Sequence, residues 1–256
     1  MGCGGYTCSN GKCIDEGSKC NGINDCGDWD DEAERNCPHL LYDGNQISVG
    51  RYDLKEEGEL KVVGCYGSDN KCSAFANCYP SDYGNFSPQP PPKGSYAWRF
   101  GYDTNICEGS LFTLSFYKGY RPIIYGDAVA FKFGNSDTYS YLSCKENGDQ
   151  CSIVNHCIGI RYSYRESCSR ETFQLYSPHI AEGTPIRNGD LIYLKLLHQR
   201  TPARWLSTGG RVKDSNWKLQ TRTCPGKFKL KDNALDCKYE QMALVKRCGE
   251  DYMKIC

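Results

Sequence analysis

Eighteen cysteines fall along this 256-residue chain at spacings that recur, and a chain so rich in sulfur has few ways to fold. Cytosolic thiols are kept reduced, so a large, even cysteine count belongs to an oxidising compartment and a disulfide framework. No Cys-x2-Cys pair occurs, which removes the usual sequence basis for a zinc or dithiol redox site. Lys+Arg and Asp+Glu are equal at 31 each, whereas a general nucleic-acid binder would show a basic excess. The mean hydropathy is −0.63, and no apolar run approaches the roughly eighteen residues of a transmembrane helix. The start, Met1-Gly2-Cys3-Gly4, enters cysteine-rich sequence directly, so the chain reads as mature, secreted, extracellular material.

Two regions, 1–38 and 39–256, follow different cysteine rhythms. The first holds Cys3, Cys8, Cys13, Cys20, Cys26 and Cys37, with Asp25, Asp28, Asp30, Asp31 and Glu32 crowded around the fifth. So short a stretch cannot bury a sufficient core and needs staples. Three disulfides and a cation would supply them, and clustered carboxylates and side-chain amides suit hard Ca²⁺ better than Zn²⁺. The first 37 residues carry eight acids against three bases. Zero net charge therefore conceals an acidic module beside a mildly basic body.

Residues 3–37 resemble a low-density-lipoprotein receptor class A module, and all six cysteines take part in the match. The resemblance implies the pairs Cys3–Cys13, Cys8–Cys26 and Cys20–Cys37. It implies Ca²⁺ ligation by the side chains of Asn21, Asp25, Asp31 and Glu32 and by the carbonyls of Ser18 and Ile23. Asn21 stands where the family usually has Asp, which removes one negative charge. Ser18 stands where an aromatic residue is common. The resemblance also implies that the acidic face receives a Lys or Arg, from another protein or from the body of this same chain.

The rest of the chain repeats. Gly126-Asp127 opens Ala128-Val129-Ala130-Phe131-Lys132-Phe133, and Gly189-Asp190 opens Leu191-Ile192-Tyr193-Leu194-Lys195-Leu196. Tyr141-Leu142-Ser143-Cys144 matches Trp205-Leu206-Ser207-Thr208, and residues 49–65 give a third copy. Cys65, Cys72 and Cys78 are spaced as Cys144, Cys151 and Cys157 are. Cys107, Cys168 and Cys237 each begin Cys-x4-Phe/Met-x-Leu. Short alternating apolar runs bounded by Gly, Asp and Asn read as strands. Three copies of such strands predict one closed, pseudo-threefold barrel, which leaves no exposed edge.

This repeat plan resembles the β-trefoil over roughly residues 41–247, so the expected fold class is all-β and disulfide-rich. Copy three looks somewhat like trefoils of the inositol-receptor type, and the Gln-x-Trp signature of ricin-type lectins is absent. Symmetry predicts Cys78–Cys107, Cys157–Cys168 and Cys224–Cys237 as one bridge in three copies, and Cys65–Cys72 and Cys144–Cys151 as another in two. Cys248 and Cys256 remain to tie down the tail. Copy one carries an insertion, 79–102, with the glycosylation sequon at Asn85 and the extended run Pro88-Gln89-Pro90-Pro91-Pro92.

No Gly-x-Ser-x-Gly elbow, P-loop or His-Glu-x-x-His occurs, and His39, His156, His179 and His198 share no ligand spacing. The chain is expected to be non-enzymatic. Loops rich in Tyr and Arg are a common binding composition. Tyr96, Trp98 and Arg99 in copy one, and Tyr162, Tyr164 and Arg165 in copy two, form the candidate ligand-binding set. The first expectation is a calcium-loaded binding protein whose lectin-like trefoil takes glycan or another extracellular ligand, with no nucleic acid and no transmembrane segment. The alternative is an assembly protein, part of an oligomer, whose acidic module grips a basic residue of a partner subunit. A secreted defence or toxin protein ranks below both.

Overall fold

A computed structural model describes residues 2–52, 60–66, 71–75, 111–116, 121–133, 140–145, 147–154, 171–197, 202–209, 217–224 and 241–246. Near the amino terminus, β1 (Tyr6–Thr7) and β2 (Cys13–Ile14) pair antiparallel, and a single 3-10 turn follows at Glu16–Ser18. Regular structure is sparse here because too few residues are present to enclose a core. Disulfides hold it instead, joining Cys3 to Cys13, Cys8 to Cys26 and Cys20 to Cys37. These are the pairs that the class A resemblance implies.

Thirteen further strands follow: β3 (Gln46–Tyr52), β4 (Leu60–Tyr66), β5 (Lys71–Phe75), β6 (Leu111–Ser115), β7 (Ala128–Phe133), β8 (Tyr141–Ser143), β9 (Ser152–Val154), β10 (Thr172–Tyr176), β11 (Leu191–Leu196), β12 (Arg204–Ser207), β13 (Trp217–Lys218), β14 (Gln220–Thr223) and β15 (Gln241–Lys246). Six of them close a ring. β3 pairs with β6, β6 with β7, β7 with β10, β10 with β11, β11 with β15, and β15 returns to β3, all antiparallel. Closure leaves no unpaired edge in that ring.

The three Cys-x4-Phe/Met-x-Leu motifs supply β6, β10 and β15. Their Phe112, Leu114, Phe173, Leu175, Met242 and Leu244 all fill the barrel core. β11 shows the alternation that drives this burial, with Ile192, Leu194 and Leu196 buried and the residues between them half-exposed. Phe131 of β7 lies between the first two motifs, its ring centroid 6.2 Å from that of Phe112 and 5.6 Å from that of Phe173.

The hairpins β4–β5, β8–β9 and β12–β14 extend from β3, β7 and β11. Cys65–Cys72 crosses the first hairpin and Cys144–Cys151 the second. In the third, Thr208 and Leu219 stand in their place, both fully buried.

Two cycles of backbone hydrogen bonds each link one residue from every copy. Before the opening strands, Leu41 N donates to Ile186 O (3.1 Å), Ile186 N to Ile123 O (2.9 Å) and Ile123 N to Leu41 O (2.8 Å). Among the hairpins, Cys72 N donates to Cys151 O (2.8 Å), Cys151 N to Leu219 O (2.8 Å) and Leu219 N to Cys72 O (3.4 Å).

Each opening strand is also entered through the same turn. Gly44, Gly126 and Gly189 have φ of 82°, 98° and 86°, a region L side chains rarely occupy. The next residue's side chain then accepts an upstream amide: Tyr42 N to Asn45 Oδ1, Ile124 N to Asp127 Oδ2 and Arg187 N to Asp190 Oδ2, each 2.9 Å. In copy two, Arg121 braces this turn through a two-pronged pair with Asp127, at 2.8 and 2.9 Å.

Cys224 is disulfide-bonded. Its expected partner Cys237, the pairs Cys78–Cys107 and Cys157–Cys168, the cysteines Cys248 and Cys256, and the insertion 79–102 lie outside the described residues. Phe131→Ala should lower unfolding free energy by about 3–5 kcal/mol in a urea titration, because it opens a cavity between two packed rings. Non-reducing peptide mapping should return Cys78–Cys107, Cys157–Cys168 and Cys224–Cys237 with no free thiol. A bridge between the module and the barrel would show the repeat register to be misplaced.

Candidate metal centre

The class A loop begins where Cys20 takes a left-handed φ of 61°. This reversal turns the chain back so that residues 21–25 face Asp31 and Glu32. Asn21 N donates to Glu32 Oε1 (2.6 Å), and Asn21 Nδ2 donates to Asp25 Oδ2 (2.8 Å). Asn21 Oδ1 accepts Ile23 N (2.7 Å), holding the loop tight at the exposed Ile23. Asp25 N and Cys26 N both donate to Asp31 Oδ2, at 2.8 and 3.4 Å. Lys12 Nζ donates to the Asp25 carbonyl. Ser18 ends the 3-10 turn, its amide bonded to Asp15 O at 2.9 Å.

Asp31 and Glu32 are fully buried. One oxygen of each is anchored by loop amides. The other, Asp31 Oδ1 and Glu32 Oε2, has no hydrogen-bond partner. Burying a carboxylate oxygen unpaired is costly, and a cation relieves that cost. Burial, then the neighbouring charges of Asp31 and Asp25, pushes the Glu32 carboxyl up to about 7. No group of three or more His, Cys, Asp and Glu side chains is poised around a metal position among the described residues. The donors here are mixed, with two buried carboxylates, Asp25, the Asn21 amide and backbone carbonyls. An all-oxygen set of that kind suits Ca²⁺.

A second acidic residue is used differently. Asp30 accepts Tyr6 OH (2.7 Å) and Ser9 N (2.9 Å) and pairs with Arg35. Tyr6 first, and these other donors with it, hold its carboxyl below the usual range. Asp30 is therefore a brace that ties the module's amino-terminal strands to its acidic loop.

The module sits on the barrel through side chains that the sequence alone did not single out. The buried Tyr42 reaches back with its hydroxyl 3.0 Å from Glu32 O and 3.3 Å from Cys37 O. Lys246 Nζ, at the end of β15, lies 2.5 Å from Glu34 Oε1 and 3.3 Å from Pro38 O. Asn45 Nδ2 donates to the same Glu34 oxygen at 2.9 Å. Burial works against ionisation of Glu34, but Lys246 and Asn45 hold its carboxyl below the usual range. Asn45 occupies the turn position that Asp127 and Asp190 hold in the other copies. Only an amide serves both sides there, accepting Tyr42 N and donating to Glu34. That departure from Asp was the sequence signal for the seat.

The candidate ligand set Tyr96, Trp98, Arg99, Tyr162, Tyr164 and Arg165, and the sequon at Asn85, lie outside the described residues. So do His156 and His198, whereas His39 and His179 are exposed.

The family model for the low-density lipoprotein receptor domain class A matches residues 2–37. Atrial natriuretic peptide-converting enzyme of Rattus norvegicus is 49% identical over 43 residues, 16% of this chain and 4% of that protein. The Homo sapiens protein of the same name is 49% identical over 37 residues, 14% of this chain and 4% of that protein. The chain thus spans 4% of the length of these relatives, within the class A segment. Among solved structures, an SDF2-like protein from Arabidopsis thaliana aligns with a TM-score of 0.43 at 9% identity, covering 80% of this chain and 94% of that one.

Asn45→Asp should keep the turn but place a like charge against Glu34. A loss of about 0.5–1.5 kcal/mol in urea unfolding is expected, the net worth of one hydrogen bond, because Glu34 is half-exposed and water screens the added charge. An unchanged midpoint would show that Glu34 does not depend on the Asn45 amide.

Proposed function

We propose that this chain is a secreted, non-enzymatic binding protein in which a calcium-loaded class A module is seated on a β-trefoil body, with the boundary near residue 38. The unpartnered buried oxygens of Asp31 and Glu32 carry the calcium reading. Asn21, Asp25, Asp31 and Glu32 would hold the ion through their side chains, Ser18 and Ile23 through their carbonyls. The ion would neutralise three clustered carboxylates and staple the module. The closed six-strand ring and the two threefold hydrogen-bond cycles support the trefoil assignment. Class A domains and dense disulfides are typical of extracellular proteins, and among the described residues no helix is long and apolar enough to cross a membrane. The body would present a glycan or another extracellular ligand through the loops around Tyr96, Trp98 and Arg99 and around Tyr162, Tyr164 and Arg165. In the alternative, assembly reading, the acidic module would grip a partner's basic residue. Glu34 already holds Lys246 of its own chain, which favours the first reading.

Isothermal titration of calcium into the chelator-stripped chain should give one site. Asp31→Ala or Glu32→Ala should abolish it and scramble the module's disulfides on refolding, since binding energy becomes folding energy in such sites. Native pairing after refolding in EDTA would overturn the calcium reading. For the body, a glycan array should show binding that Trp98→Ala weakens by about 1–3 kcal/mol if the ring is a contact hot spot. Silence on a broad array would remove the lectin-like reading.

A further inference from the structure

We infer that the barrel supports the calcium site: Tyr42, Lys246 and Pro185 hold the class A loop in its cation-binding form, and calcium in turn locks the module onto the barrel. The inference rests on the calcium reading above. Both halves of the metal centre touch the body. On the loop side, Gly22 lies between Asn21 and Ile23 with φ of 86°. A β-carbon there would stand 2.8 Å from Pro185 Cγ and 3.4 Å from Gly183 O. The loop is thus pressed against the turn that leads into β11. On the acidic side, the Glu32 carbonyl faces the Tyr42 hydroxyl at 3.0 Å, while its side chain holds Asn21 N at 2.6 Å. A shift of Glu32 would therefore move both the loop and the seat.

Lys246 completes the contact. It is 9% exposed, its ammonium lies on Glu34, and its backbone amide donates to Asn188 Oδ1 at 2.8 Å. Asn188 N in turn donates to His39 O at 2.8 Å. A lysine this buried needs its carboxylate in place. Displacing residues 32–34 would strand that charge, so the barrel resists any rearrangement of the acidic segment. Linkage makes the coupling reciprocal: whatever factor the seat contributes to calcium affinity, calcium contributes to the seat. Tyr42 and Lys246 act as positioning residues, since neither supplies a ligand atom.

The test uses the whole chain and calcium itself. Tyr42→Phe and Lys246→Met should each weaken calcium binding about three- to ten-fold in isothermal titration, the effect of losing one such bond. In the unmodified chain, EDTA should speed amide exchange about ten-fold at Asn188 and Lys246, which are at the seat. Cys72, Cys151 and Leu219, at the hairpin end, should keep their protection, as expected for local opening. Unchanged affinity in both variants, with unchanged exchange at Asn188 and Lys246, would overturn the coupling and leave the calcium site standing. Absence of any calcium heat in the unmodified chain would overturn both. Should Tyr42→Phe not fold, Lys246→Met and the exchange measurement decide the question.

Discussion

The cycle of backbone hydrogen bonds through Leu41, Ile123 and Ile186 is the contact on which the rest depends. Each of these residues comes from a different copy, and each gives its amide to one neighbour while offering its carbonyl to the other. The cycle joins the three segments that lead into β3, β7 and β11. From there, the alternation of side chains needs only to be apolar on one face to fill the barrel. The same cycle fixes the module. Tyr42 follows Leu41 directly, so the residue that anchors the barrel also aims the hydroxyl that meets Glu32 and Cys37.

Electrostatics divides the acidic residues of the module into three kinds of work. Asp30 is paired within the module with Arg35 and accepts hydrogen bonds from Tyr6 and Ser9. Glu34 is neutralised from the barrel by Lys246, a residue 212 positions away in sequence. Asp31 and Glu32 keep one buried oxygen apiece without a partner. A folded protein tolerates few such oxygens, and these two lie on adjacent residues of one loop.

Local patterns carried much of this. Cysteine spacing gave the register of the copies, and it placed Cys65 against Cys72 and Cys144 against Cys151. The Phe/Met-x-Leu motifs marked the strands that close the barrel. The acidic loop was visible because Asn21, Asp25, Asp31 and Glu32 lie close together in sequence. The seat was not visible in the same way. The Tyr42 hydroxyl and Lys246 stand at positions where the repeat fixes no residue type, Pro185 reads only as the copy of Pro122, and the folded barrel brings β15 beside residues 34–38. The Gly44-Asn45 turn was the one local sign, since an amide replaced an acid that the other copies keep. The candidate residues around Trp98 and Tyr164 lie outside the described residues.

The third hairpin has a consequence for how the barrel ages and varies. Copies one and two cross-link their caps with sulfur, whereas copy three fills the equivalent space with Thr208 and Leu219. Leu219 nonetheless occupies its place in the upper hydrogen-bond cycle, donating to Cys72 O and accepting from Cys151 N. A reductant would thus cut the cross-hairpin bridges Cys65–Cys72 and Cys144–Cys151 but leave the Thr208 and Leu219 packing in place. Threefold shape here does not require threefold chemistry, and the copies are free to diverge in what holds them as long as their backbones still meet.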